Sequence, residues 1–259
     1  MRRGRGLPGS FVGAGGPDKI AGFAIRPART DIGEYGGASP REIIELMADD
    51  LLFVYSSPGT VDLAEFTDWY DNEHVPNRRA TPGFGAVARF RATDGVRPEW
   101  LATYEIKPGT LETPAYKALW ENSSEREKRI MSSMTLDRRV YAPLSDSWAG
   151  GHSAASGPAP VVLAVSMSVP PAVEPDLAAY YDQEHFPLLL AVPGWRRARR
   201  YVLTAGSGPK YLSLHEVDSA AAFDEPGYQA ATSTPWRNRI VEAAIGREKR
   251  VFGLHQAWG

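Results

Sequence analysis

The 259-residue chain has no cysteine. Disulfides, thiolate nucleophiles and cysteine-ligated zinc or iron–sulfur sites are therefore excluded. No apolar run approaches the roughly 20 residues that cross a bilayer. Charge of one sign is also lacking: the formal net charge is −2, which gives no general pull toward nucleic acid or an anionic membrane. Arg2, Arg3 and Arg5 open the chain without an apolar stretch behind them, so no secretory leader is expected. The sequence has no Gly-x-Ser-x-Gly elbow, Walker loop or His-Glu-x-x-His pair. Gly4, Gly6 and Gly9 match a dinucleotide fingerprint in spacing only, because no strand precedes them. These absences lead us to expect a cytoplasmic protein with no metal or cofactor and with neither nucleic acid nor membrane as partner.

What is present is a duplication. Residues 69–90, WYDNEHVPNRRATPGFGAVARF, align without a gap on residues 180–201, YYDQEHFPLLLAVPGWRRARRY. Nine of the 22 positions are identical, and the offset is 111. The same offset returns between DRRVY (137–141) and EKRVF (248–252). So long a period marks a duplicated domain and not a solenoid. We expect an N-terminal extension over 1–46, with a short helix near 40–47 capped by Ser39-Pro40. Repeat 1 is expected over 47–144, a small-residue linker over 145–160 and repeat 2 over 161–259. Met47 would serve equally as a natural start.

Each repeat reads as β-α-β-β-α-β. In repeat 1 the strands are expected near 51–57, 84–92, 100–106 and 136–144, with helices near 61–76 and 114–133. In repeat 2 the strands are expected near 161–169, 195–203, 210–217 and 249–256, with helices near 174–189 and 219–245. The order is that of a ferredoxin-like fold, an antiparallel sheet with both helices on one face. The bare face of each sheet needs cover, and the other repeat supplies it.

Phe66, Tyr70 and His74 share a helix stripe, as do Leu177, Tyr181 and His185. The apolar members turn the stripe toward the sheet, so each His is expected at a buried helix end closed by Pro76 or Pro187. A buried His can act as acid and base near neutral pH. A Tyr one turn away can donate to a developing oxyanion, and Asp71 or Asp182 can reach the His and orient it. The catalytic candidates are accordingly His185, His74, Tyr181, Tyr70, Asp182 and Asp71. Glu73 and Glu184 point away from their His toward Trp69 and Tyr180, and Tyr104 is replaced by His215 at the repeat offset. These four, His215, Tyr104, Glu184 and Glu73, are candidates for substrate contact. His215 alternates with Tyr211 and Ser213; that face lines the pocket or lies outside, with an outward His215 as the default. Arg78 and Arg79 make the first helix end look wet, whereas Leu189 and Leu190 make the second apolar. The more enclosed pocket is expected in repeat 2, with His185 ahead of His74. A purely structural reading stands beside this one, with each His bonding the free carbonyls of its helix end. The arginines at 196, 197, 199 and 200, and at 138 and 139, read as ion-paired, solvated strand faces.

The topology, the duplication and the Glu-His-x-Pro motif resemble the dimeric α+β barrel superfamily, most closely its EthD-like branch in tandem form, over about residues 50–257. Val75 and Phe186 stand where that branch commonly has Gly. The resemblance implies an intrachain barrel, with pockets between sheet and helices, in a monomer that can associate further. It also implies small-molecule chemistry. The leading expectation is a cofactor-independent enzyme, acting on an aromatic or polyketide-like molecule through dehydration, cyclisation or decarboxylation. The alternatives are a non-catalytic binding or stress-response barrel, and a haem-binding barrel with His as the axial ligand.

Overall fold

The computed structural model describes residues 49–259; the expected N-terminal extension and its helix near 40–47 lie outside them. Strand β1 is Asp50–Ser57, β2 Phe84–Ala92, β3 Trp100–Ile106 and β4 Thr135–Trp148. In the second half β5 is Val161–Ser168, β6 Trp195–Ala205, β7 Tyr211–Val217 and β8 Ile245–Trp258. Between β1 and β2, helix α1 (Leu63–Trp69) runs through a π-helical turn (Tyr70–His74) into α2 (Val75–Arg79). Helices α3 (Pro114–Glu121) and α4 (Glu125–Ser133) join β3 to β4. The second half repeats the plan with α5 (Glu174–Tyr180), a π turn (Tyr181–His185), α6 (Phe186–Leu190), α7 (Pro226–Ala231) and α8 (Pro235–Glu242).

All pairings are antiparallel, and the strands close into a barrel in the order β1-β3-β2-β8-β5-β7-β6-β4. Each repeat contributes one four-stranded ferredoxin-like sheet, and the β2–β8 and β4–β6 seams join the two. The fold is thus the expected intrachain dimeric α+β barrel. β4 continues to Trp148, past the expected end at 144, because its last residues pair with β6. The repeat offset survives in register: Leu51 pairs with Tyr141 as Val162 pairs with Phe252.

Period-2 alternation sends one face of each strand into the barrel and the other under the helices. Leu101 therefore joins Phe53, Tyr141 and Phe252 in the barrel core, while Trp100, Ala102, Tyr104 and Ile106 pack beneath α1, α2 and α4. Under the helices of repeat 1 the core is one continuous cluster. Under those of repeat 2 it is split, one part around Leu163, Leu189 and Trp195, the other around Met167, Tyr181 and Ile240. Closing the sheet leaves no free edges to template aggregation.

Candidate functional site

Both copies of Tyr-Asp-x-Glu-His form a π turn. Val75 N–H donates to the Tyr70 carbonyl, and Phe186 N–H to that of Tyr181, five residues back. Neither helix ends at its proline, contrary to expectation; the chains stay helical to Arg79 and Leu190. Proline has no N–H for an ordinary helical bond, and the widened turn just before it absorbs that deficit. Each His therefore lies in mid-helix, away from the terminal carbonyls that the structural reading invoked.

In repeat 1 the site is packed shut. His74 Nδ1 lies 3.3 Å from Glu127 Oε1, and Arg78 donates to the same oxygen at 3.2 Å. Arg78 is buried beneath the Trp120 ring, 5.1 Å from its centroid. Of the two arginines behind the expected wet helix end, Arg79 is exposed, whereas Arg78 is buried in an ion pair because Glu127 on α4 neutralises its guanidinium. The Tyr104 hydroxyl donates to that of Tyr70 at 3.0 Å. Burial, reinforced by Arg78, Arg89 and Arg138, holds the His74 pKa well below its ordinary value. Burial raises the pKa of Tyr70, and that of Tyr104 more strongly. The cavity bordered by these groups measures only about 30 Å³.

Asp71 and Asp182 do not bond their histidines. Asp71 accepts from Arg89 and, at 2.7 Å, pairs with His255 Nε2. Asp182 faces Arg200 at 3.5 Å. Arg89 and Arg200 are themselves a repeat-matched pair, and their guanidinium carbons lie 3.9 and 4.6 Å from the ring centroids of Tyr70 and Tyr181. The expected solvated strand is accordingly ion-paired but only partly solvated, since Arg200 and Arg139 are buried. Glu73 and Glu184 do not reach Trp69 and Tyr180. They accept from the N-cap hydroxyls of α4 and α8, Ser124 at 2.5 Å and Thr234 at 2.6 Å. These caps also hold the backbone N–H of Glu127 and Arg237. The motif glutamate thus clamps the π turn to the last helix of its own repeat.

Repeat 2 keeps the clamp and opens the interior. Arg78 gives way to Leu189 at the repeat offset, and Tyr104 to His215. On the first-turn tyrosines of α3 and α7, Tyr116 matches Tyr228 and Trp120 matches Thr232. Three large side chains are each replaced by a smaller one. The result is a cavity of about 310 Å³ between the two core clusters, bordered by Tyr180, Tyr181, His185 and His215. The volume lies at the lower end of ligand-binding pockets, about 300–1,000 Å³.

His215 is 1% exposed and turns inward, not to the surface default. Alternation decides this: Leu212 and Leu214 take the barrel side, so Ser213 and His215 take the helix side. His215 Nε2 and Ser213 Oγ are 2.7 Å apart, and the Tyr181 hydroxyl lies against the same Ser213. The rings of His185 and His215 meet edge to face at 6.2 Å. His185 stacks on Tyr180 and is part exposed toward the cavity. Its Nδ1 makes no hydrogen bond of good geometry among the described residues. Burial pushes its pKa down to about 4, aided by Arg237 and opposed by the nearby Ala231 carbonyl. Burial, His185 and Lys249 keep the His215 pKa well below its ordinary value. Both imidazoles are therefore neutral at pH 7, and Ser213 stands between the His215 ring and the Tyr181 hydroxyl.

Sequence reasoning did not find Glu127, Arg237 or Arg89, and named Ser213 only as a neighbour of His215 on its strand face. Arg89 was visible as one of the nine repeat identities. Glu127 and Arg237 share the third position after their helix caps, which becomes legible only once the caps are located. Among the described residues no cluster of three or more His, Asp or Glu could hold a metal ion. No described helix is long and apolar enough to cross a membrane.

No protein-family model and no curated protein matches the sequence. Solved structures do share the fold. An anthrone oxidase-like protein is similar over 82% of this chain and 94% of its own, with 10% identity and a TM-score of 0.59. A candidate monooxygenase from Fusobacterium nucleatum subsp. nucleatum is similar over 82% and 94%, with 9% identity and a TM-score of 0.52. A chlorite dismutase variant from Candidatus Nitrospira defluvii, solved with cyanide, is similar over 85% and 96%, with 10% identity and a TM-score of 0.51. At such identities the likeness concerns the fold.

Proposed function

We propose that repeat 2 is the working half of a cofactor-independent enzyme of the tandem, EthD-like kind, acting on a small aromatic or polyketide-like molecule. The observation that carries this reading is the asymmetry of the histidines. His74 is tied to Glu127 in a closed core, whereas His185 is part exposed, makes no ion pair among the described residues and borders a cavity of about 310 Å³. In this reading His185 removes a proton from carbon beside a substrate carbonyl. The buried Tyr181 phenol, its pKa raised by burial, stays protonated and donates to the oxyanion. The Ser213–His215 pair holds that end of the site. Delivery of the proton to a departing β-hydroxyl completes a dehydration, with C–H and C–O bonds broken, C=C formed and water released; in a decarboxylation CO2 leaves first, the resulting enolate is held by Tyr181, and a proton is then delivered to its carbon. The anthrone oxidase-like neighbour supports an aromatic ketone as substrate, by analogy of fold alone. Oxygenation and elimination of such a ketone both begin with loss of that proton.

The residues do not fit a haem. The His74 cavity holds little more than a water molecule, His215 is sealed against Ser213, and the cavity at His185 is small for a tetrapyrrole. A Soret shift on adding haemin to the protein, lost in His185→Ala, would reverse that conclusion.

The test is proton exchange. Aromatic ketones, beginning with anthrone, are incubated with the protein in deuterated water under nitrogen, and loss of the acidic methylene signal is followed by NMR. The protein should accelerate exchange, His185→Ala should lose about 10²-fold or more of it, and His74→Ala should keep it. Equal rates for the parent and His185→Ala would sink the assignment.

A further inference from the structure

The mouth of the repeat 2 cavity carries three cations and no acid. Arg237 comes from α8, and Arg247 and Lys249 come from β8. No aspartate or glutamate borders the cavity. Among the described residues none of the three cations makes an ion pair. Arg237 donates to Asn238 Oδ1 at 3.3 Å, and Lys249 to the Tyr228 hydroxyl at 3.1 Å. The nearby acids are engaged or turned away: Glu184 is held by Thr234, and Glu248 pairs with Arg139 and Ser166 on the barrel side.

The corresponding positions in repeat 1 are Glu127, Leu136 and Arg138. One acid, one neutral residue and one base have thus become three bases, at the same sites where the cavity opens. Three cations without ion pairs around one opening give it a positive field, screened by solvent at the exposed Arg247 and Lys249. Such a field favours an anion. Inside the mouth the walls are apolar, formed by Leu163, Val165, Met167 and Ile240, with the Tyr180 ring alongside.

We propose that this cavity selects a planar aromatic carboxylate, with the ring against the apolar wall and the carboxylate at Arg237, Arg247 and Lys249. The inference rests on the reading of repeat 2 as the working half, and it names the substrate class of that site. Burial is the main cause of the depressed basicity of His185 and Arg237 a lesser one, so a bound carboxylate that offsets Arg237 would recover a part of that basicity.

Calorimetric titration at pH 7.5 with 2-naphthoate and its uncharged isostere 2-naphthamide tests this. The carboxylate should bind at least tenfold more tightly than the amide, and less tightly as salt is raised. The double variant Arg247→Ala/Lys249→Ala, at two exposed positions, should weaken naphthoate at least tenfold and leave the amide unchanged. Arg97→Ala, an exposed cation in repeat 1, should change neither. Equal affinity for the two ligands, naphthoate binding unmoved by the double variant, or no binding of either would each overturn the proposal. Binding is read apart from proton transfer. Should His185→Ala still bind naphthoate while exchange proves independent of His185, the acid/base reading fails and the carboxylate site stands.

Discussion

Of the three replacements that separate the filled half from the hollow one, that of Arg78 by Leu189 is the one that changes charge. Arg78 occupies in repeat 1 the space that Leu189 leaves open in repeat 2, and it can do so because Glu127 receives it. Arg78→Leu would leave the buried Glu127 carboxylate with His74 and without its cation. Denaturation by urea should show a loss of about 3–5 kcal/mol, the usual result of breaking a buried pair from one side. The histidines make a second prediction. An unfolded His titrates near 6.5, whereas burial holds His185 at about 4 and keeps His74 and His215 lower than ordinary too. Between about pH 4 and 6.5 the unfolded chain therefore binds protons that the folded chain refuses. Stability rises with pH across that window and is lost on acidification through it. For His185, part exposed toward the cavity, the effect should reach about 1–3 kcal/mol between pH 7.5 and 4.5. Urea midpoints measured across this range should fall, and His185→Phe should flatten the slope; a slope identical to the parent's would show that this ring does not titrate as a buried group.

At the scale of the element, the site depends on how one helix is fastened to the next. The π turn carries His185 and Glu184 together, and Glu184 reaches the Thr234 cap of α8. The same helix carries Arg237 in its first turn, with its backbone N–H on Thr234. One hydroxyl thus ties the candidate base to the candidate anchor. Thr234→Ala removes a cap and a partner for Glu184, and should cost about 1–2 kcal/mol. The equivalent Ser124→Ala should cost about as much in repeat 1. Only Thr234→Ala should also weaken a ligand of the repeat 2 cavity, because α3 and α4 border a closed core. Thermal melts and ligand titrations of the two variants, taken together, check this; equal ligand affinity in both would separate the clamp from the site.

At the scale of the molecule, the two repeats share a barrel core and neither sheet is closed without the other. Tyr55 of β1 stacks on Phe252 of β8 across that core, with ring centroids 5.9 Å apart. Removing the Phe252 ring should therefore destabilise both halves at once. Phe252→Ala should cost about 3–5 kcal/mol and move a single calorimetric transition downward without dividing it. Two resolved transitions would mean that the repeats unfold as separate units.

Much of this was written in the sequence, for local reasons. The β-α-β-β-α-β order and β2, β3, β5 and β7 follow from alternation and from Gly-containing turns, which act over a few residues. The stripes of Tyr70 and His74, and of Tyr181 and His185, followed from helical spacing. That each bare sheet face would be covered by the other repeat followed from the need to bury it, and closure into a barrel was expected from the resemblance to the dimeric α+β barrels. The rest depended on residues distant in sequence. Glu127, 53 positions from His74, becomes its partner only when α4 packs on the π turn. Asp71 is claimed by Arg89 and His255 across strands, which no helical spacing anticipates. The helices continue past Pro76 and Pro187 because the π turn relieves a proline rule that acts on ordinary turns. The sequence determined two similar halves, each with a buried His, since repetition and periodicity are properties of the chain. The contrast of Arg78 with Leu189 pointed to repeat 2, but tertiary packing decided that one half is solid and the other hollow, because a cavity is what remains after every neighbour has taken its volume.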